Sequence, residues 1–220
     1  MITKGIVFQH ENSIDVEPGV VTLIDQSRYL NHGTMTDVTW LQLPGGLRVM
    51  SFNGTSSLVD CGATPTLRFT TSFSMESFVY FADVTAERDI LGSYNGNTAG
   101  YALYLHPTAP SIRFQINDLV NRTLVGNVVP VVNTWYYIVG TYDSEAPLRT
   151  IYINGVYDNS DTPAGVPTIA TENFRLGSYR GTGGWMNGYT SFNRICGYAL
   201  TAGQVLNRYE NIKHWLGINE

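Results

Sequence analysis

The sequence predicts an all-β fold: a two-sheet antiparallel β-sandwich closed by one short C-terminal helix. Three observations carry that expectation. Short runs of β-formers recur along the chain, separated by Gly, Asn, Asp and Pro. Charged residues make up only 14% of the 220 residues, against about 25% in an average domain. Turn-forming Asn, Gly, Ser and Thr stand in their place. Third, Ile151-Tyr152-Ile153-Asn154-Gly155-Val156-Tyr157 sets Asn-Gly between alternating β-formers, where a type I′ turn needs positive φ at both central positions.

Taken in order, the predicted strands are Leu47 to Phe52, Ser57 to Cys61, Phe73 to Phe81, Asp89 to Tyr94, Tyr101 to Leu105 and Ser111 to Ile116. Thr123 to Gly126, Trp135 to Tyr142, Arg149 to Ile153, Val156 to Tyr157, Asn173 to Leu176 and Tyr189 to Cys196 follow. Asn53-Gly54 is a second turn after the first strand. In Ser111 to Ile116, alternation puts Ile112, Phe114 and Ile116 on one face and Arg113 and Gln115 on the other. Trp135, Phe114 and Phe78 read as core. The segment Tyr157 to Ala170 reads as a turn-rich surface excursion. Thr201 and Gln204 form a capping box. Val205, Tyr209, Ile212 and Leu216 share one helical face, and Gly217 ends the helix. The chain is therefore read as one domain, 1–220, with a leader over 1–24 and a closing helix over 201–216.

The net charge of −5, without a basic stripe, argues against nucleic acid as a partner. No run approaches the roughly 20 apolar residues of a membrane helix. Met1 to Gly19 lacks the pattern of a signal peptide, so a soluble protein is expected. Leu91-Gly92-Ser93-Tyr94-Asn95-Gly96 is echoed by Leu176-Gly177-Ser178-Tyr179-Arg180-Gly181. The echo is either two strands ending in similar turns or two equivalent loops at one rim.

Several ordered segments resemble the concanavalin A-like lectin/glucanase superfamily, in its laminin G-like branch. They are Asp25-Gln26-Ser27 with Asn31-His32-Gly33-Thr34; Phe52 to Thr55 with Leu58-Val59-Asp60; and Phe73 to Val79. Thr134 to Asp143, Ile151 to Val156, and Asn187-Gly188-Tyr189 through Thr201 complete the series. Phe78 stands where the family usually has Trp. The resemblance implies a jelly-roll sandwich and a lectin-like, carbohydrate-binding module. Val205 to Lys213 with Leu216-Gly217-Ile218 is similar to the tails of such domains in phage and large-virus structural proteins. That similarity implies virion association or release outside a cell, with glycan, a second copy or virion proteins as partners.

Glycosidases on this sandwich need two carboxylates about 5 Å apart in a retaining enzyme, as in Glu-x-Asp-x-x-Glu on a strand. Glu11, Asp15 and Glu17 lie in the leader, Glu76 stands alone on its strand, and Asp83, Glu87 and Asp89 lie in or beside a loop. No enzyme is expected. Sugar binding needs aromatic platforms with amide or charged partners. The candidates are Tyr94 and Asn95 in one loop and Tyr179, Arg180 and Trp185 in another. Trp185, among Gly183, Gly184 and Gly188, either packs at the rim or contacts ligand. Tyr101 and Tyr104 face opposite ways. The alternatives are a structural or decoration protein without a sugar site, and a glycan hydrolase or lyase with an unrecognised site. The resemblance further implies a structural calcium at Asp25 and Asn31. Asp158, Asn159 and Asp161 form a second acidic loop, and turn formation competes with ion binding at both. Cys61 and Cys196 read as reduced thiols or, if neighbours, as a disulfide.

Overall fold

The computed structural model describes residues 5–10, 21–95, 98–117, 122–178 and 180–218. The strands are β1 (Ile6–His10), β2 (Thr22–Leu23), β3 (Gly33–Thr36), β4 (Thr39–Gln42), β5 (Arg48–Asn53), β6 (Leu58–Asp60), β7 (Phe73–Phe81) and β8 (Arg88–Asn95). They continue as β9 (Ala99–His106), β10 (Ser111–Ile116), β11 (Thr123–Val125), β12 (Trp135–Asp143), β13 (Leu148–Ile153), β14 (Val156–Asp161), β15 (Arg175–Leu176) and β16 (Asn187–Cys196). The helix is α1 (Ala202–Ile212), and 3-10 turns cover Pro65–Leu67 and Lys213–Leu216.

Two antiparallel sheets result. The first runs β14-β13-β12-β7-β16-β5-β4, and the second runs β11-β10-β9-β8-β15-β6-β3-β2. Strand β16 shifts register between Ser191 and Arg194, and Phe192 takes φ 48° there. Its first half pairs with β5 and its second half with β1. The leader therefore contributes a strand, although alternation there is too weak to reveal one from residues alone. β2, β3 and β4 escaped notice for the same reason: each has only two to four residues.

Between the sheets lies a core that includes Phe8, Phe73, Phe81, Leu103, Phe114, Ile138 and Phe174, each at most 1% exposed. Gly140 is required there: a Cβ would come within 2.8 Å of the Phe114 ring. The predicted hairpin holds, with φ of 51° at Asn154 and 80° at Gly155. β14 continues four residues past Tyr157, so the predicted surface excursion begins as strand. Its extension is fastened by Arg149, whose Nε and Nη2 donate to the Asp161 carboxylate at 3.0 and 2.6 Å.

α1 has the predicted capping box: Thr201 accepts from the Gln204 amide, and Gln204 accepts from the Thr201 amide. The helix packs on the outer face of the first sheet over a second core that includes Phe78, Tyr137, Val139 and Val205. Tyr209 stacks on Phe78 and Tyr137 at 6.3 and 6.1 Å between ring centres. Beneath it, Glu76 is 2% exposed. It receives hydrogen bonds from Arg194, Arg208 and the Tyr137 hydroxyl. Glu76, the single acid of β7, is thus the centre of the network that holds the helix down.

Candidate functional site

Among the described residues, no helix covers the outer face of the second sheet. Register fixes its rows. Asp89, Tyr104, Arg113 and Val125 lie side by side across β8 to β11. The next row reads Asp60, Arg175, Gly92, Ala102, Gln115 and Thr123. Alternation sends their neighbours Leu103, Phe114 and Leu124 into the core. As expected, Tyr101 and Tyr104 diverge: the Tyr101 hydroxyl donates inward to the Leu67 carbonyl at 2.5 Å, and Tyr104 stands on the outer face.

Tyr94 is the aromatic centre of this face. Its hydroxyl donates to Asp89 Oδ1 at 2.9 Å. The phenol therefore lies back along β8, and Gly92, between the two, has no side chain to obstruct it. Burial, then the Asp89 carboxylate, push the Tyr94 hydroxyl far above the usual phenol range. It stays a donor at any physiological pH. Tyr104 is raised by burial, with a hydrogen bond from Arg113 opposing. From Tyr104 a chain of bonds crosses the sheet. Its hydroxyl donates to Gln115 Oε1 at 3.3 Å, Gln115 Nε2 donates to Asn117 Oδ1 at 2.8 Å, and Asn117 Nδ2 donates to the Ala99 carbonyl at 2.7 Å. Such a network fixes rotamers before any ligand arrives. At the far side of the face, Arg175 Nε donates to Asp60 Oδ2 at 2.9 Å.

Trp185 is half-buried, and its loop is tied to the start of β8 through the backbone. The Asp89 amide donates to the Gly184 carbonyl at 2.8 Å, and Arg88 Nη1 donates to the Trp185 carbonyl at 2.6 Å. Arg88 also pairs with Asp83. Burial works against the Asp83 charge, but hydrogen bonds from Arg88 and Thr85 outweigh it and hold the carboxyl below its ordinary value.

The remaining candidates fall elsewhere. Asn95 ends β8, where its carbonyl accepts from Thr98, at the opposite end from Trp185. Arg180, at φ 53°, pairs with Glu172 at 3.3 Å. Tyr179 lies outside the described residues. The echoed segments sit on β8 and β15, which run antiparallel with Leu91 opposite Leu176. Their turns therefore leave by opposite ends of the sandwich and do not form one rim.

Asp25 and Asn31 do the work of an anchor. Asp25 is fully buried, and its carboxylate accepts from the amides of Gln9, Ser27 and Asn31 and from the Ser27 hydroxyl, at 2.7 to 3.0 Å. Asn31 Oδ1 accepts from Thr64 and Thr66. Four donors aimed at one carboxylate hold the N-terminal segment to the sandwich. Among the described residues, no group of three or more His, Cys, Asp or Glu is placed to hold a metal. In the other acidic loop, Asp158 accepts from the Asn127 and Val128 amides, and Asp161 is held by Arg149. Cys61 follows β6 in the second sheet and Cys196 ends β16 in the first, and both are free and buried. Burial raises both thiols.

Sequence reasoning set Asp89 at the start of its strand but treated it as an acid beside a loop, whereas it is 3% exposed, and it passed over Tyr104, Arg113, Gln115 and Asn117 as site residues. The alternation in Ser111 to Ile116 already put Arg113 and Gln115 outside the core. What it lacked was the neighbour relation across β8 to β10.

The profile of the concanavalin A-like lectin/glucanases superfamily, in its laminin G form, matches residues 53–206. The chain belongs to this superfamily. No curated protein matches it. Among solved structures, this superfamily member is similar to domain 4 of AbnA, a GH43 extracellular arabinanase from Geobacillus stearothermophilus, in complex with arabinotriose. The TM-score is 0.70 at 16% identity, over 93% of this chain and 98% of that one. It is also similar to the botulinum neurotoxin serotype G binding domain (TM-score 0.67, 17% identity, 94% of this chain and 51% of that one). A third likeness is to the binding domain of botulinum neurotoxin DC in complex with SialylT (0.65, 12%, 94% and 51%). The chain spans about half the length of these toxin domains. At such identities the likeness is one of fold.

Proposed function

We propose that the protein is a non-catalytic carbohydrate-binding module that engages glycan on the outer face of the second sheet. The observation that carries this reading is a hydrogen-bonded cluster with half-buried Tyr94 and Arg113 at its surface and buried Asp89, Tyr104 and Gln115 beneath them, over which no helix lies among the described residues. Tyr94 and Trp185 supply apolar ring surface for a sugar face. Arg113 and the Tyr94 phenol, held in place over buried Asp89, Tyr104 and Gln115, supply polar contacts already fixed before a ligand arrives. The similarity to a domain in complex with arabinotriose supports the same reading.

The spacing of acids supports a binder over a hydrolase. Glu87-x-Asp89 opens a Glu-x-Asp-x-x-Glu pattern at the start of β8, and its last position is Gly92. The closing glutamate, which would pair with Glu87 across a scissile bond, is therefore absent from that pattern. Calcium enters as a condition of the test rather than as a ligand of this face.

A glycan array, followed by titration calorimetry with and without calcium, tests the proposal. The wild type binds at least one glycan, and Arg113→Ala weakens it about tenfold, the loss of one charge-assisted hydrogen bond. Reducing-sugar release from that glycan stays at background. No binding on the array, or binding that Arg113→Ala and Tyr94→Ala both leave intact, sinks the assignment.

A further inference from the structure

The outer face of the first sheet is not covered to its end. One row beyond Phe78 and Tyr137, which lie under Tyr209, the strands carry Trp135, Tyr80 and Tyr189 directly side by side on β12, β7 and β16. Ring centres are 5.0 Å apart for Tyr80–Tyr189, 5.6 Å for Tyr80–Trp135 and 6.4 Å for Trp135–Tyr189. All three are half-buried, which corrects the expectation that Trp135 is core. No ring of α1 stacks on them among the described residues, as Tyr209 does on the row before.

Their polar tips are distinctive. The Tyr80 hydroxyl donates to Asn133 Oδ1 at 3.2 Å. Among the described residues, Trp135 Nε1 and the Tyr189 hydroxyl have no hydrogen-bond partner. Beyond Tyr189 the row continues through Ser51 and Thr39. The groups that extend the row or bond to it are thus hydroxyls and an amide, without charge. From Thr123 to Tyr142 the sequence has no charged residue at all.

We propose that this row is a second carbohydrate-contact surface, for a neutral hexopyranose chain, on the face opposite the first site. Three rings across adjacent strands span about 10 Å at the usual strand spacing, which is two sugar residues. Stacked rings bury the apolar faces of such a chain, and the free indole N–H and phenol bond its hydroxyls. The uncharged surround gives an acidic polysaccharide nothing to pair with. The rings are inclined to one another by 29° to 58°, which fits a single twisted chain better than a flat crystalline surface.

The test follows the indole N–H resonances of the four tryptophans during titration with cellohexaose, mannohexaose and a galacturonate hexamer. Trp135→Phe identifies the Trp135 signal and keeps a packed ring if Trp135→Ala fails to fold. The expected result is that a neutral hexamer moves the Trp135 signal and the acidic one does not. Tyr189→Ala then weakens that binding about tenfold, and Arg113→Ala leaves it unchanged. A Trp135 signal that stays still to ~10 mM of both neutral hexamers, beyond the range of a useful site, overturns the proposal. So does a signal that responds to phosphatidylcholine vesicles and to no sugar, which would assign the row to lipid. Because Arg113→Ala reports only on the second sheet, failure there and failure here are separate outcomes.

Discussion

The two outer faces of this sandwich are built from the same alternation and end in opposite states. On the first sheet, the outward side chains of β7 and β12 are large and apolar, and α1 comes down on them. On the second, the outward side chains of β8 to β10 are phenols, amides, Arg113 and Asp89, tied to one another. A covered face must satisfy its one buried acid internally, and Glu76 does so with two arginines and a phenol. The second sheet instead ties buried Asp89, Tyr104 and Gln115 to one another and leaves Tyr94 and Arg113 half-buried above them. The contrast sets a face closed by a helix against a polar face that the proposed function uses.

The strongest way to break the contrast is to attack the roof. Glu76→Ala leaves Arg194 and Arg208 facing each other without their carboxylate, and the expected loss is about 3–5 kcal/mol. Urea unfolding measures it; a loss under about 1 kcal/mol would mean that the network is solvated and the helix loosely held. Removing the helix cap by Thr201→Ala is expected to cost about 1 kcal/mol, read in the same assay. On the polar face, Arg113→Ala is expected to shift stability by no more than about 0.5 kcal/mol while weakening glycan binding. Equal damage to both would erase the division between the faces.

The smallest effect concerns acid. Asp83 sits below its ordinary 3.8 in the folded protein, so its hydrogen bonds stabilise the fold above that value. The contribution fades as pH falls through the lowered one. Asp83→Asn should therefore lower the neutral plateau of the urea midpoint slightly and flatten its acid limb between pH 5 and 2. An unchanged limb would show that Arg88 holds the Trp185 loop without help from Asp83.

Much of the framework was legible from residues alone. Phe73–Phe81 and Ser111–Ile116 match the predicted strands end to end. Asn154-Gly155 forms the expected turn, and Thr201 with Gln204 caps the expected helix. These are local signals, written within a few residues. Trp135 shows where local reading fails. Its flanks look like core, yet its position on the outer face depends on which side of β12 the helix covers and where that cover stops. Asn95 and Arg180 lie apart from each other for a related reason. An echo in sequence has no direction, and β8 and β15 run opposite ways.

The sequence by itself determined the sandwich, the hairpin, the closing helix and the separation of Arg113 and Gln115 from Phe114, because period two and turn chemistry act between near neighbours. Only the tertiary structure decided that Tyr94 reaches Asp89, that Tyr104 and Arg113 lie beside them, and that Trp135, Tyr80 and Tyr189 form one row. Those juxtapositions join strands far apart in the chain, and they are fixed by sheet order and register, which no local pattern encodes.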